Sequence, residues 1–396
     1  MSNRKIFWII LGSLIAVLIS FFVRYFNEFK AESFPVKTVV ELGDSKVSIE
    51  MVAENFEIPW DLVWGPDDHI WLTERFGQVT RVNPVSGEKQ LVLKLDTVYI
   101  SDTENSGMNA IALHPLFNEC PFVYLYYLSE DNSNKIIGRV VRYRFNQEKL
   151  ILQYPDTLIT GIVGGRSHNG ARFIHDSDST MLLSIGESEI EELAQDMNHL
   201  SGKIIRMNLE GGIPSDNPIK NSYIYTIGHR NPQGLVIGLN NQIYSSEHGP
   251  ATDDELNIIK KGRNYGWPNV LGYCDTEEEK KDCEKLNVVE PILTFSPTQA
   301  PCGLEYYADG PIKAFQNSLL LVFLKEQKLM KIGLNEEGTE VTSTTDFLVE
   351  SYGRLRDVLV GPEGEVYFIT TNTVWPGGGV FYPDNNKIYK IEAFKK

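Results

Sequence analysis

Four basic residues stand close to the start or the end of apolar segments in a chain that is otherwise acidic. They are Arg230, Lys325, Arg354 and Arg356. The chain of 396 residues carries 37 Lys and Arg against 53 Asp and Glu, which gives a net charge of −16. Cations that converge inside an acidic protein predict an anionic ligand with several carboxylates or phosphates. The alternative is that each cation only pairs with a neighbouring carboxylate, as Arg356 could with Asp357.

A histidine and an acidic loop accompany these cations. His168 lies in the segment G-R-S-H-N-G and is a candidate general base, because imidazole ordinarily titrates near neutral pH. Residues 253–255, D-D-E, follow Gly249 and Pro250. Carboxylates and carbonyl oxygens are the ligands of a hard cation, so this loop predicts calcium. A lone loop histidine is more often structural, but its place in the repeat described next favours chemistry.

The sequence that must position these residues repeats six times. Each copy has an apolar strand, a Gly/Pro/Asp turn and a strand rich in aromatic residues, and most continue into a third strand with Arg or Lys. The copies begin at Leu62, Ile111, Phe173, Leu235, Leu304 and Val358. Each copy predicts about four short antiparallel strands, which cannot bury both faces alone but can do so in a ring. We therefore predict an all-β fold, a six-bladed propeller of four-stranded antiparallel blades.

The segment before the first copy completes this prediction. Residues 46–55 alternate like a strand and are expected to supply the outer strand of the last blade. A β-sandwich or two small β domains would not explain six copies. The chain shows no linker, so we predict one propeller domain over residues 45–396.

The N-terminus predicts the compartment. Residues 6–23 form an uncharged apolar run, which either spans a bilayer or is the core of a cleaved signal peptide. The bulky F-F-V-R-Y-F sequence at its end favours an uncleaved anchor. We predict that residues 1–30 anchor or export the chain, and that the propeller lies outside the cytoplasm, secreted if the segment is cleaved. The acidic charge argues against nucleic acid as a partner.

The four cysteines have no C-x-x-C spacing, so a zinc site is not expected. In an exported protein they predict disulfides. Cys274 with Cys283 would close a short loop and leave Cys120 with Cys302. The alternative is four reduced, buried thiols.

The polar segments resemble the glucose/sorbosone dehydrogenases, six-bladed propellers that use pyrroloquinoline quinone. The longest match is I-Y-T-I-G-H-R-N-P-Q-G-L, followed by S-E-H-G-P, D-D-E-L-N and G-R-N-Y-G-W-P-N-V-L-G-Y. Shorter matches, such as H-N-G-A-R-F and G-R-L-R-D-V, extend it over roughly residues 50–395. The resemblance implies oxidation of an aldose sugar at C1, with an external electron acceptor.

The resemblance also implies roles for the matched residues. His168 would take the proton from the sugar C1 hydroxyl, supported by Glu187, where the family usually has aspartate. Arg230 would stabilise charge on the quinone carbonyl. The other cofactor contacts would be Asn231, Lys325, Arg354 and Arg356.

Calcium would use two sets of residues in such a protein. The Gly249 and Pro250 carbonyls would bind the ion beside the quinone. A second, structural calcium would be bound by Glu255, Tyr265, Tyr273 and Asp275. Asn105 aligns with a Gln or Glu that meets the sugar in the family, so the sugar itself stays open. The rival hypotheses are a catalytically silent propeller that binds a protein or glycan, and a calcium-dependent lactonase, which the cationic lining disfavours.

Overall fold

The computed structural model describes residues 37–394, apart from position 44, positions 103–104, position 178 and positions 372–385. Almost all of this chain belongs to one unit, residues 39–396. Within the described ranges, no helix is long and apolar enough to cross a membrane. The predicted anchor over residues 6–23 lies outside these ranges.

Two strands, β1 (Thr38–Leu42) and β2 (Ser45–Glu54), precede the first of six antiparallel sheets. The first three sheets, blades 1 to 3, each contain four consecutive strands. Blade 1 contains β3 (Pro59–Gly65), β4 (His69–Glu74), β5 (Gln78–Val82) and β6 (Lys89–Lys94). Blade 2 contains β7 (Met108–Leu113), β8 (Phe122–Glu130), β9 (Ile136–Asn146) and β10 (Ile151–Val163). Blade 3 contains β11 (Ala171–Ser177), β12 (Thr180–Ile185), β13 (Lys203–Asn208) and β14 (Ile224–Ile227).

Blades 4 and 5 follow the same order, and blade 6 joins the two ends of the chain. Blade 4 contains β15 (Pro232–Ile237), β16 (Ile243–Glu247), β17 (Asp254–Ile259) and β18 (Leu293–Phe295). Blade 5 contains β19 (Pro301–Tyr307), β20 (Ser318–Phe323), β21 (Leu329–Leu334) and β22 (Val341–Phe347). Blade 6 contains β23 (Leu355–Val360), β24 (Val366–Thr370) and β25 (Lys387–Ala393), to which β2 and then β1 are added.

The blades close into a ring around a central channel. The first strands of neighbouring blades contact one another in order, from β3 and β7 round to β23, which again contacts β3. β2 pairs antiparallel with β25, from Val47 opposite Ala393 to Glu54 opposite Lys387. The six-bladed propeller and its closing strand were therefore predicted correctly. β1, a fifth strand of blade 6, was not predicted.

The turn of the repeat ties three strands together, which explains its sequence. In blade 1 the Asp67 carboxylate accepts hydrogen bonds from Trp71 Nε1 of β4 (3.1 Å) and from Arg81 Nε of β5 (2.7 Å). A Cβ on Gly65 would lie 2.6 Å from Trp71 Nε1, so the position before this turn needs glycine. The third-strand arginine of the repeat is thus a structural partner of the turn.

Apolar side chains fill the spaces between blades. Six buried clusters of the described residues each join two neighbouring blades. Between blades 1 and 2, for example, Trp71 packs edge-on against Phe145 with ring centroids 4.8 Å apart. Each fully buried large side chain contributes about 1.5–3 kcal/mol. The apolar faces of neighbouring blades therefore form the core, and polar residues can line the central channel.

Within the part of the chain that the structure describes, the α-helix Glu277–Leu286 begins at a Thr276 capping box, and 3₁₀ turns span Glu191–Ala194, Leu239–Asn241 and Lys313–Phe315.

The disulfide Cys274–Cys283 is present, as predicted. The expected pairing of Cys120 with Cys302 was wrong, because both thiols are free. Cys120 lies in the turn after β7 and Cys302 near the start of β19, at opposite ends of their blades.

Candidate functional site

Four of the predicted site residues lie at one end of the channel. In each blade the first strand begins, and the antiparallel second strand ends, at this same end. His168, Arg230 and Arg354 precede the first strands β11, β15 and β23, while Glu187 follows the second strand β12. The repeat therefore converts equivalent sequence positions into neighbours at one channel mouth.

Glu187, His168 and Arg230 form a hydrogen-bonded chain that we call the mouth cluster. His168 Nδ1 lies 2.8 Å from Glu187 Oε1, and His168 Nε2 lies 3.1 Å from Arg230 Nη2. Because a guanidinium only donates, Nε2 must accept, and Nδ1 carries the proton that is donated to Glu187. The longer glutamate thus reaches the imidazole. The result is a neutral histidine whose Nε2 lone pair accepts the hydrogen bond from Arg230, and it can act as a general base when a substrate hydroxyl replaces Arg230 as the donor.

The local backbone fixes this histidine. His168 has a φ of 52°, and its carbonyl accepts a hydrogen bond from Ser188 N at 3.0 Å. A Cβ on Gly186 would lie 2.1 Å from the same carbonyl oxygen, so only glycine permits the approach. Glu187 N donates to Arg230 O at 2.9 Å, which joins blades 3 and 4 behind the mouth cluster. The His168 side chain is 22% exposed, whereas that of Glu187 is 1% exposed.

Arg230 and Asn231 each carry a buried donor without a hydrogen-bond partner among the residues that the structure describes. Arg230 Nη1 donates to His248 O at 3.0 Å, and its guanidinium lies 5.2 Å from the centre of the Trp267 ring. Asn231 Oδ1 accepts from Gly170 N at 2.9 Å. Arg230 Nε and Asn231 Nδ2 are buried, and no described residue accepts a hydrogen bond from either atom. Buried donors without acceptors are costly, so they favour a ligand that carries acceptors.

The arginines of the mouth change the pKa values of two neighbours, His248 and Cys302. Burial, and next the charges of Arg356 and Arg230, lower the pKa of His248 to about 3. Burial raises the pKa of the Cys302 thiol to about 11, although the charges of Arg356, Arg172 and Arg354 act in the opposite direction. His248 and Cys302 therefore both lie within range of the positive charge of Arg356. Lys325 is different, because it is exposed and its Nζ donates to Thr298 O at 2.7 Å on the rim of blade 5.

A small cleft lies beside Arg230 in blade 4 and contains part of the predicted calcium set. It is lined by Gly249, Pro250, Glu255 and Tyr265, among others. The Gly249 and Pro250 carbonyls accept no hydrogen bond from the described residues. Tyr273 and Asp275 do not line the cleft, and both are exposed.

The cleft is short of positive charge. Glu255 lies directly opposite Glu247 in the pairing of β16 with β17. Burial, and next the charge of Glu247, raise the pKa of Glu255 to about 8. Its carboxylate accepts hydrogen bonds from two neutral groups, Asn257 Nδ2 (2.8 Å) and Gly272 N (3.0 Å). Among the described residues no three His, Cys, Asp or Glu side chains are grouped to hold a metal, so a cation here would need carbonyl ligands as well.

Asn105 lies in the channel wall. Its Oδ1 accepts a hydrogen bond from Gln233 Nε2 at 3.3 Å, and its carbonyl accepts one from Asn169 Nδ2 at 2.6 Å. Gln233 also contacts Arg356, because Arg356 Nη1 lies 3.3 Å from Gln233 Oε1. Gln233 therefore links Asn105 to Arg356.

Apart from Arg356, which was predicted, sequence reasoning missed the polar and charged residues one and two positions before the repeat starts. Counting back one position from the repeat starts gives Asp61, Arg172 and Asp357, which contact one another in the channel. Counting back two gives Trp60, Gln233, Cys302 and Arg356, which also meet. An alignment of the six copies at these two positions would have found both sets.

The fold and the cation-lined mouth define a propeller enzyme of the sugar dehydrogenase class, and the comparisons agree. The family model for glucose/sorbosone dehydrogenase matches residues 56–374. The chain is 30% identical to quinoprotein glucose dehydrogenase B of Acinetobacter calcoaceticus, over 82% of this chain and 85% of that protein. It is 28% identical to an aldose sugar dehydrogenase of Escherichia coli, over 82% and 90%.

A solved structure extends the comparison to the fold. The aldose sugar dehydrogenase of Streptomyces coelicolor, in a form bound to pyrroloquinoline quinone, superposes with a TM-score of 0.75. It is 31% identical, and the match covers 88% of this chain and 98% of that one. The chain therefore belongs to the glucose/sorbosone dehydrogenase family.

Proposed function

We propose that this protein oxidises an aldose sugar at C1 to the lactone, with pyrroloquinoline quinone as cofactor and calcium as its companion ion. The observation that carries the proposal is the mouth cluster. It holds a neutral imidazole whose Nε2 accepts a hydrogen bond from Arg230, beside further arginines suited to an anionic cofactor. Family membership supports the same reaction class.

The cofactor would lie against the cations of the mouth. Its carboxylates would be bound by Arg354 and Arg356, with Lys325 at the rim. The buried donors of Arg230 and Asn231 would meet its remaining oxygens, which supplies the acceptors that these atoms lack. When bound, the quinone supplies the hydride acceptor that amino-acid side chains cannot provide.

Calcium would occupy the cleft beside Arg230. The Gly249 and Pro250 carbonyls are suited to it, because neither is used by a hydrogen bond within the described chain. The Glu247 carboxylate would attract a cation, and Glu255 would add its charge by losing its proton when the ion binds. The second calcium would be held by Glu255, Tyr265, Tyr273 and Asp275, of which only the first two line the cleft.

His168 would act as the base. Its Nε2 would accept the proton of the C1 hydroxyl, and the Glu187 carboxylate would stabilise the imidazolium that forms. Arg230 Nη2 now occupies the hydrogen-bonding position at Nε2, so the sugar hydroxyl must replace this contact when it binds. Asn105 would contact the sugar from the channel wall.

The test is reconstitution. The purified protein is titrated with the quinone at millimolar calcium, then assayed with aldoses and an artificial acceptor dye. Spectral binding and dye reduction should both require calcium, and chelation should abolish both. If the quinone does not bind, the proposal fails.

The compartment is the second part of the proposal. Residues 1–30 would anchor or export the chain, with the propeller outside the cytoplasm and electrons passing to an external acceptor. The disulfide Cys274–Cys283 supports an oxidising compartment. Cell fractionation with protease accessibility of intact cells tests this placement, and a cytoplasmic, protected propeller would contradict it.

A further inference from the structure

Below the mouth, charged residues of three blades meet in the channel. Arg172 Nη1 on β11 donates to Asp61 on β3 and to Asp357 on β23, the latter at 2.8 Å. Its Nε and Nη2 donate to Gln233 O of blade 4 at 3.3 and 3.2 Å. Asp61, Arg172 and Asp357 are 1%, 7% and 3% exposed. We call these three residues the hub.

The aspartates also bind backbone of adjacent blades. Asp61 Oδ2 accepts from Ile111 N of blade 2 at 2.9 Å, and Asp357 Oδ2 accepts from Leu62 N of blade 1 at 2.8 Å. A Cβ on Gly303 of blade 5 would lie 1.9 Å from Asp357 Oδ1. All six blades therefore meet at the hub.

The surroundings of Arg356 are built from the neighbours of the hub. The Arg356 guanidinium lies 3.8 Å from the centre of the Trp60 ring, and Trp60 precedes Asp61. Arg356 itself precedes Asp357. Arg356 Nη1 lies 3.3 Å from Gln233 Oε1, and the carbonyl of the same Gln233 is bound by Arg172. Arg356 Nη1 also lies 3.6 Å from the Sγ of Cys302, the residue before Gly303.

We infer that Arg172 and Asp61 are positioning residues for the cofactor side of the site, which hold Arg356 and Gln233 in place without contacting the reacting atoms. The inference rests on the proposed function. A fork of donors is required, because Arg172 binds two carboxylates and a carbonyl at once. Lysine keeps the charge but lacks this fork.

The experiment compares two arginines of blade 3. Arg172→Lys is matched by Arg206→Lys, since Arg206 on β13 also bridges two aspartates, Asp176 (2.6 Å) and Asp216 (2.7 Å), outside the channel. We expect Arg172→Lys to weaken quinone binding about tenfold, the size of coupling within one hydrogen-bonded network. Turnover at saturating quinone should stay within about threefold, because His168 is untouched. Arg206→Lys should change neither quantity.

A second readout needs no cofactor. Cys302 is buried beside Arg356, and burial holds its thiol in the protonated, unreactive form. In a Cys120→Ser background, the reaction of Cys302 with an aromatic disulfide reports whether its neighbours stay in place. Arg172→Lys should accelerate this reaction in the cofactor-free protein, and Arg206→Lys should not.

The outcomes separate the two proposals. If the parent does not bind quinone, the proposed function fails, while the thiol reaction still tests the hub. The inference is overturned if Arg172→Lys matches Arg206→Lys in thiol reactivity and in quinone affinity. If Arg172→Lys does not fold, the pair Asp61→Asn and Asp176→Asn makes the same comparison.

Discussion

The mouth cluster and the hub are both chains of ionisable residues across the same channel, yet they differ in charge balance and exposure. The mouth cluster joins one carboxylate, one guanidinium and a neutral imidazole, and its histidine is 22% exposed. The hub joins two carboxylates to one guanidinium, and all three are buried. Burial raises the pKa of both Asp61 and Asp357 above the ordinary value of 3.8.

Under the proposed function, this difference assigns proton transfer to the mouth cluster and a positioning role to the hub. The mouth cluster has a member that can gain a proton while its partners stay charged, which suits proton transfer. The hub has one carboxylate in excess, and two carboxylates that share one cation favour retaining a proton. Changes at the mouth should therefore alter turnover, and changes at the hub should alter stability and cofactor affinity.

The largest expected effect is that of His168→Gln. Turnover should fall by about a hundredfold or more, the usual contribution of a positioned base. Quinone and calcium should still bind, because neither depends on the imidazole in the arrangement that we propose. Single-turnover quinone reduction in the fully loaded variant measures the effect. A rate within a few-fold of the parent would remove His168 from the mechanism.

Glu187→Gln is expected to lower turnover by about tenfold or more, because the amide can still accept from Nδ1 but no longer stabilises the imidazolium. The 2.8 Å contact is the reason for this expectation. Glu192→Gln, at an exposed position of the 3₁₀ turn in the same loop, is the control and should be silent. Equal rates in both variants would mean that Glu187 only packs.

At the hub we expect a pH effect on stability. Burial raises the pKa of Asp61, and burial raises the pKa of nearby Glu305 to about 7. A carboxyl with a raised folded pKa stabilises the fold fully below its unfolded value, and this stability is lost as pH rises through the folded value. The melting temperature of the parent should therefore fall between about pH 4 and 7.

Asp61→Asn tests this effect, because its side chain cannot ionise. The variant should melt lower at pH 5, since an amide cannot accept from both Arg172 and Ile111 N. Between pH 5 and 8, the melting temperature of the variant should change by at least about 2 °C less than that of the parent. Thermal scans of parent and variant give the answer, and parallel pH profiles would contradict it.

The sequence predicted the propeller because its signal is repeated. Six copies of one strand–turn–strand pattern each add the same inference, and the Asp67 turn with its Trp71 and Arg81 contacts shows why the pattern recurs. β1 was missed because it occurs once and precedes the repeat. The Cys120–Cys302 pairing failed because pairing by elimination ignores where each turn lies along its blade.

Site residues that are conspicuous by their own type and position could be predicted from the sequence, whereas residues that matter through contacts between repeats could not be predicted as easily. His168 and the arginines are conspicuous by type and position. The hub was missed because Asp61, Arg172 and Asp357 stand in separate repeats, far apart in sequence, and only an alignment of the copies shows that ring closure makes them neighbours. Lys325 is the reverse case, since it matches the family pattern but is exposed on the rim.

Lys325→Ala should therefore have the smallest effect of the series. Its Nζ is exposed and donates to Thr298 O at 2.7 Å, so removing it should weaken quinone binding by less than about 1 kcal/mol, the range for exposed ion pairs. Arg356→Ala should cost about 1.5–3 kcal/mol, because the buried guanidinium would make charge-assisted bonds. Quinone titration of both variants measures the difference. An equal loss in the two would mean that the rim of blade 5 closes over the bound cofactor and brings Lys325 into the same environment as Arg356.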